Sequence, residues 1–268
     1  MPEIVETRFV ADYINKHIKD AQIQSITFPT GLYSKRKPDH YADFVKEIES
    51  KKVTLKKAHT KGKLIYMEFS NGMYLQNSLG LEGLWTNDTK LKYNHVHLKT
   101  SKGTFFYNDF RNFGKMKFHK DMKSMQLILD TIGPDVLDKK TTFEVFYNSI
   151  NLKRLQKKDI CNVINCQKYV SGVGNYIRAD ALYLAKISPY RKLEKITKDE
   201  FKKLHTAILF ICKDKYKKTK LIEKKFGGDR HIVYGRKTDS LGNVVTRDTQ
   251  EKGHNKGRSI YYVKAVQK

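Results

Sequence analysis

The residues with the clearest chemical potential are Pro2 and Glu3, directly after Met1. Removal of Met1 would leave the proline nitrogen as a secondary amine at the terminus with a carboxylate beside it. Such a pair can do covalent chemistry at a sugar carbon. An α-amine titrates near ~8, so part of it is an uncharged nucleophile at neutral pH, whereas a lysine amine is almost wholly protonated. Alone, the pair has a plainer explanation. Proline is well tolerated at a helix start, and Glu3 and Glu6 would complement the positive end of the helix dipole. The case for chemistry therefore rests on the rest of the chain.

A second stretch with chemical content is Ser171-Gly172-Val173-Gly174-Asn175-Tyr176-Ile177-Arg178-Ala179-Asp180-Ala181-Leu182, a glycine-bracketed turn running directly into a helix. Backbone N–H groups and the Asn175 amide at such a helix N-terminus would suit a phosphate. His95 and His97 share one strand face and resemble metal ligands, but no third ligand lies nearby, so a half-exposed pair with local partners is expected. Cys161, Cys166 and Cys212 show no paired CxxC spacing and read as buried thiols. No metal and no cofactor is expected.

The chain has 268 residues, 39% of them apolar, enough for two modest cores joined by a linker. Its formal net charge of +25, from 53 basic and 28 acidic residues, points to a polyanionic partner, nucleic acid ahead of an anionic membrane surface. No run approaches the ~18 apolar residues of a membrane span, and the acidic start is unlike a signal peptide, so a soluble intracellular protein is expected.

The elements that must position these residues follow from periodicity. Apolar residues at Val5, Phe9, Val10, Tyr13, Ile14 and Ile18 predict an amphipathic helix that pins the terminus. Between Ile23 and Asn108 the period changes to two, as in Leu64-Ile65-Tyr66-Met67-Glu68-Phe69, with turns at Asn71-Gly72 and Lys102-Gly103, which predicts a β-sandwich or barrel. Strands stop past Phe118, and Ile132-Gly133-Pro134-Asp135 reads as a linker into a helical domain. Helices are predicted over Thr142–Ile150 and Lys158–Ile164, and a longer one opens at a Thr197/Glu200 capping box, with Phe201, Leu204, Ile208, Ile211 and Cys212 facing its core. Lys213 to Lys225 holds seven lysines and is read as a DNA-facing run only in context. From His231 strand-like residues return, including Val233-Tyr234-Gly235-Arg236 and Gly257-Arg258-Ser259-Ile260-Tyr261-Tyr262-Val263, and read as a basic β-hairpin.

Taken in order and spacing, these signals resemble the formamidopyrimidine-DNA glycosylase and endonuclease VIII family of base-excision repair enzymes. The resemblance spans nearly the whole chain. It rests on Met1-Pro2-Glu3 with Glu6, on Gly62-Lys63 before a strand, and on Asp109-Phe110-Arg111-Asn112-Phe113-Gly114. It also rests on the Gly172-to-Leu182 segment and on Gly257-Arg258 of the terminal hairpin. The implied fold is α+β. Residues 1–130 would form a catalytic β-sandwich domain with an N-terminal helix, residues 131–230 a helix-two-turn-helix domain, and residues 231–268 a β-hairpin finger. Most relatives fold that finger around zinc held by four cysteines, and no cysteine follows Cys212 here. The chain is thus similar to the zincless branch, in which strand pairing with Tyr261 and Tyr262 replaces the metal.

The resemblance also implies roles. Pro2 would form a Schiff base at C1′ of an extruded nucleotide, and β,δ-elimination would then cut the strand. Glu3 would assist ring opening and proton transfer, Lys63 would contact the adjoining phosphate, and Glu6 is a secondary candidate. Leu81, which stands where the family has methionine, would fill the gap in the duplex with Arg111 and Phe113. Asn175 and Arg258 would hold the phosphates flanking the lesion. The implied partner is damaged duplex or single-stranded DNA, bound by a monomer, with oxidised pyrimidines preferred. The competing reading is a non-catalytic DNA-binding or architectural protein that keeps the fold; the joint presence of Pro2, Glu3 and Lys63 argues against it.

Overall fold

In the computed structural model, which describes residues 2–222, 225–227, 231–250 and 256–268, the chain forms two compact units. The first consists mainly of Glu6–Thr131 and includes Pro2, while the second contains Glu3–Val5, Ile132–Lys220 and Phe226–Lys268.

In the first unit, α1 (Ile4–Ile18) buries Val10, Ile14 and Ile18 of the expected stripe, and Ala11 besides, while Phe9 and Tyr13 are half-buried. Alternation of apolar and polar residues yields eight short strands: β1 (Ile23–Thr27), β2 (Leu55–Lys61), β3 (Leu64–Phe69), β4 (Tyr74–Ser78), β5 (Leu84–Thr86), β6 (Asn94–Thr100), β7 (Gly103–Asn108) and β8 (Lys115–His119). They form two antiparallel four-stranded sheets, ordered β1-β6-β7-β5 and β2-β3-β4-β8. A buried hydrogen bond joins the sheets, the Trp85 indole N–H donating to Asn77 Oδ1 at 3.0 Å. The layers form the sandwich alternative of the sequence reading.

Two helices of this unit escaped that reading. The stretch Ile23–Asn108 was expected to be strands throughout, yet α2 (Tyr41–Ser50) interrupts it. Its Tyr41, Phe44, Val45 and Ile48 do fall at helical spacing, and Phe44 packs at 4.6 Å and 4.8 Å against Phe69 and Phe118. The second is α3 (Met122–Leu129), opened by Asp121, whose carboxylate accepts the Ser124 N–H at 2.7 Å, and held by buried Met125 and Leu129 one turn apart.

The second unit is helical: α4 (Phe143–Ile150), α5 (Ile160–Ile164), α6 (Asn175–Leu184) and α7 (Lys198–Lys218). Thr197 and Glu200 form the expected capping box of α7. The helices share a core that includes Phe146, Ile177, Phe201, Leu204 and Ile208, together with Ile4 and Val5 from the start of α1. The expected helix over Lys158–Ile164 shortens to α5, because Asp159 bridges Lys192. The expected linker Ile132–Asp135 is not a free connection. Gly133 N–H donates to Gln167 O at 2.9 Å, Ser171 N–H donates to Pro134 O at 2.9 Å, and Asp135 bridges Ser171. Cys161 and Cys212 are buried as expected, but Cys166 is only half-buried. Burial pushes the Cys161 thiol up to about 11, which leaves it an inert core group.

Two three-residue strands follow, β9 (Lys220–Ile222) and β10 (Lys225–Gly227), and Glu223 and Lys224 of the lysine run lie outside the described residues. The hairpin expected from His231 is shorter than predicted. Val233-Tyr234-Gly235-Arg236 is a turn, and among the described residues the paired strands are β11 (Thr246–Thr249) and β12 (Ser259–Tyr262), antiparallel, with one further bridge between Thr238 and Val244. Residues 251–255 of that segment lie outside the described residues.

Three carboxylates hold this region where strand pairing is too short to do so alone. Asp180 on α6 accepts the backbone N–H groups of Ile232, Val233 and Tyr234 at 3.0, 2.9 and 3.0 Å. Asp239 accepts from the Leu241 and Asn243 backbones, the Asn243 amide and the Tyr183 hydroxyl. Asp248 accepts from the hydroxyls of Tyr190 and Tyr262 at 2.6 and 3.0 Å. A small apolar cluster of Ala179, Tyr183, Val233, Val245 and Val263 completes the anchor. Among the described residues, no helix is long and apolar enough to cross a membrane.

Candidate nucleic-acid interface and active site

Within the second unit, the turn preceding α6 is built by Gly172, whose φ of +97° favours glycine and whose Cβ, if present, would stand 2.5 Å from Ile4 Cδ1. Gly172 O accepts the Ile4 N–H at 3.2 Å, so the turn lies against the start of α1. The first N–H groups of α6 have no partner inside the helix and point outward. They do not await a phosphate, as the sequence reading expected. Glu3, 1% exposed, already fills that place, its Oε2 accepting from Gly174 N at 2.7 Å and Ile177 N at 3.3 Å while Oε1 accepts from Tyr176 N at 2.9 Å. The helix's positive end is thus neutralised by the protein's own carboxylate.

Asn175, whose N–H is not among the three that Glu3 takes and whose side chain is half-buried, is what remains for an external anion. Arg178, one turn along α6 and 1% exposed, reaches Asn175 Oδ1 at 3.4 Å, Cys161 O at 3.2 Å and Ser259 O at 2.9 Å. Burial pulls the Arg178 guanidinium below its ordinary value, and the neighbouring Arg258 charge acts in the same direction against Cys161 and Glu3. Arg178 thereby ties Asn175 to the strand that begins one residue after Arg258. Gly257 and Arg258 close the β11–β12 pair through Gly257 N–H to Gln250 O at 2.8 Å and Gln250 N–H to Arg258 O at 2.9 Å, and Arg258 is half-exposed. Arg178 and Asp180 were missed as positioning residues. Their signal was two charged side chains within an otherwise apolar helix, which burial forces into fixed partnerships.

In the first unit, Pro2 is buried two residues before α1, and Glu6, 6% exposed, sits in its first turn. Lys63 stands in a two-residue turn, since Lys61 pairs with Leu64, and Gly62 adopts the positive φ, 57°, that the first loop position of such a hairpin favours. The three proposed gap-filling residues occupy two loops, Leu81 between β4 and β5, Arg111 and Phe113 between β7 and β8. Leu81 is half-exposed and Phe113 is 55% exposed. Arg111 Nε lies 3.6 Å from Glu82 Oε1, which joins the loops. Phe110, 58% exposed and packed edge-on against Tyr93, was overlooked although it lies in the same motif. His95 and His97 have local partners: His95 lies between Thr30 Oγ1 at 2.8 Å and Asp109 O at 3.1 Å, and His97 stands edge-on to Phe106.

Residues 1–116 match the formamidopyrimidine-DNA glycosylase N-terminal domain and residues 132–224 match the formamidopyrimidine-DNA glycosylase H2TH domain. The formamidopyrimidine-DNA glycosylase of Ligilactobacillus salivarius is 32% identical over 215 residues, 78% of this chain and 75% of the relative. The chain belongs to the formamidopyrimidine-DNA glycosylase and endonuclease VIII family. The glycosylase is also similar to endonuclease 8 of Salmonella arizonae, at 24% identity over 81% of this chain and 80% of that one. Its fold matches the Lactococcus lactis formamidopyrimidine-DNA glycosylase solved with DNA containing an abasic site, with a TM-score of 0.81, 21% identity and full coverage of both chains.

Proposed function

We propose that this glycosylase is bifunctional. It excises oxidised bases from DNA, pyrimidines in preference to 8-oxoguanine, and then cleaves the strand as an abasic-site lyase inside the cell. With Met1 removed, the Pro2 nitrogen attacks C1′ of an extruded nucleotide. The N–C1′ bond forms as the glycosidic bond breaks and the departing base carries off a proton; the C1′–O4′ bond then opens, O4′ taking a proton, to leave an iminium that acidifies the sugar for β- and then δ-elimination. The observation that carries this reading is the anchoring of Glu3, one peptide bond from Pro2, on three N–H groups of the turn that opens α6. A carboxylate held in this way is a negative charge of fixed position, suited to supporting the iminium. Lys63 contributes a phosphate contact from its hairpin turn, Glu6 a buried carboxylate, and Asn175 and Arg258 flanking phosphate contacts. The residues from His231 onward act as a finger without metal.

The lesion preference rests on the likeness of the chain's start and cysteine-free finger to the endonuclease VIII side of the family. The Lactococcus lactis enzyme has been solved with DNA containing an oxidised pyrimidine, and a MutM protein with DNA containing carbocyclic 8-oxoguanine. Borohydride trapping on a panel of lesion oligonucleotides tests the proposal, with a covalent protein–DNA adduct expected on thymine glycol or dihydrouracil. An adduct that persists when the Pro2 nitrogen is blocked by an uncleaved N-terminal extension would assign the nucleophile elsewhere. Faster single-turnover excision of 8-oxoguanine opposite cytosine would reverse the lesion preference.

A further inference from the structure

The two loops bearing Leu81, Arg111 and Phe113 are neighbours by topology. Loop 79–83 passes from β4 in one sheet to β5 in the other, and loop 109–114 returns from β7 to β8. At one end Ser78 pairs with Lys115, and at the other Leu84 pairs with Asn108. The loops therefore run side by side across the same edge of the sandwich, closed at both ends by ladder hydrogen bonds.

Between them stands Tyr107, the penultimate residue of β7, 3% exposed. Its hydroxyl donates to Leu79 O at 3.1 Å, at the root of the Leu81 loop. A Cβ on Gly83 would lie 2.0 Å from the Tyr107 hydroxyl oxygen, and one on Gly114 would lie 1.9 Å from it, so the hydroxyl fills a slot that only glycine leaves open in both loops. The backbones also meet directly: a Cβ on Gly80 would be 2.7 Å from Gly114 N and 2.8 Å from the Phe113 carbonyl carbon. From the other side, Asp109 Oδ2 accepts the Gly114 N–H at 2.6 Å, His95 faces Asp109 O, and Asn112 Oδ1 accepts the Leu32 N–H at 3.0 Å. Burial, with Asp109 acting in the same direction, holds the Tyr107 hydroxyl well above its usual titration range, so it remains a donor.

The geometry points to Tyr107 as a positioning residue that locks the two loops into one rigid wedge, so that Leu81, Arg111 and Phe113 enter the duplex together. This rests on the proposed gap-filling role of those residues. A wedge whose members moved independently would have to be ordered at the moment of insertion, at the cost of backbone and side-chain freedom. Here that ordering is built into the free protein, and its benefit is confined to duplex substrates. A single strand has no stack to replace.

Tyr107→Phe is the test, because it removes one oxygen and keeps the ring in the core. Hydrogen exchange of the free protein should quicken in residues 79–83 and 109–114 together and not in the other strands. Excision from a lesion duplex should fall by about tenfold, the scale of one lost buried hydrogen bond, while excision of the same lesion from a single strand changes by less than about twofold. Gly80→Ala, which pushes the two loop backbones apart where they meet at Phe113 and Gly114, should give the same duplex-selective loss. Unchanged exchange in both loops, or equal losses on duplex and single strand, overturns the lock. Wild-type protein that excises no lesion would instead defeat the proposed function, and the exchange experiment would still decide whether the loops are coupled.

Discussion

Replacing Asp180 by Asn tests how a finger with no thiolates is fastened. The carboxylate is 1% exposed and accepts three backbone N–H groups, from Ile232, Val233 and Tyr234. Asparagine keeps one acceptor oxygen, enough for Val233 and Tyr234, which both bond to Oδ1. Its NH2 group then faces the Ile232 N–H, donor against donor. A buried donor without an acceptor costs about 1–3 kcal/mol, and the two surviving bonds fall from charge-assisted to neutral, roughly half as strong. Together these give about 3 kcal/mol, or roughly a hundredfold more opening of the segment. Amide exchange at Val233 and Tyr234 should accelerate by about that factor, while the buried amides of α7 are unaffected, because those helices keep their own core. A chelator added to wild-type protein should not reproduce the change. Unaltered exchange in residues 232–234, or a uniform loss across the molecule, would show that Asp180 is not a local fastening.

Arg258→Ala should weaken lesion-DNA binding by about tenfold or more, the scale of one charge-assisted phosphate contact, with an unchanged circular dichroism spectrum; full binding and activity would remove Arg258 from the interface. With a net charge of +25, binding to a lesion-free duplex should fall at least about a hundredfold between about 50 and about 200 mM salt, and a flat titration would undercut the phosphate-driven reading. Hydrogen bonds from the Asn243 side chain and then from backbone N–H groups and Tyr183 hold the Asp239 carboxyl below its ordinary value of 3.8, against the upward push of burial. A group whose folded value is depressed stabilises above its unfolded value and loses that contribution as pH falls through the folded one. Thermal unfolding should therefore show an acid-side loss beginning below about pH 4 that Asp239→Asn diminishes, and an identical pH profile in the variant would refute the assignment.

Local signals served the sequence reading well where an element's own residues decide its structure. The α1 stripe, the turns at Asn71-Gly72 and Lys102-Gly103 and the Thr197/Glu200 cap are all of this kind. α2 was lost because its four apolar residues lie between strands and its starting residue, His40, takes a left-handed φ of 58° without a side-chain cap. Val233–Arg236 read as a strand because Val and Tyr favour strands, but its N–H groups are drawn to Asp180, a partner 53 residues away from Val233. The occupied helix terminus was illegible for the same reason. The motif announces an anion site and cannot say that Glu3 supplies the anion. Tyr107 carries no local signal at all, since its meaning depends on glycines in two loops that the sheet order brings together.

The contact between Glu3 and Gly174 spans 171 positions of the chain. During synthesis from the N-terminus, the sandwich strands can pair while Glu3 still lacks its acceptor turn, since that turn has yet to leave the ribosome. Closing so long a loop is entropically costly, and contacts of this separation tend to form late. The residue beside the proposed nucleophile is thus set in place only once the α6 turn has been made. A partly synthesised chain would hold its amine beside a carboxylate that still lacks the backbone anchor it has in the finished fold.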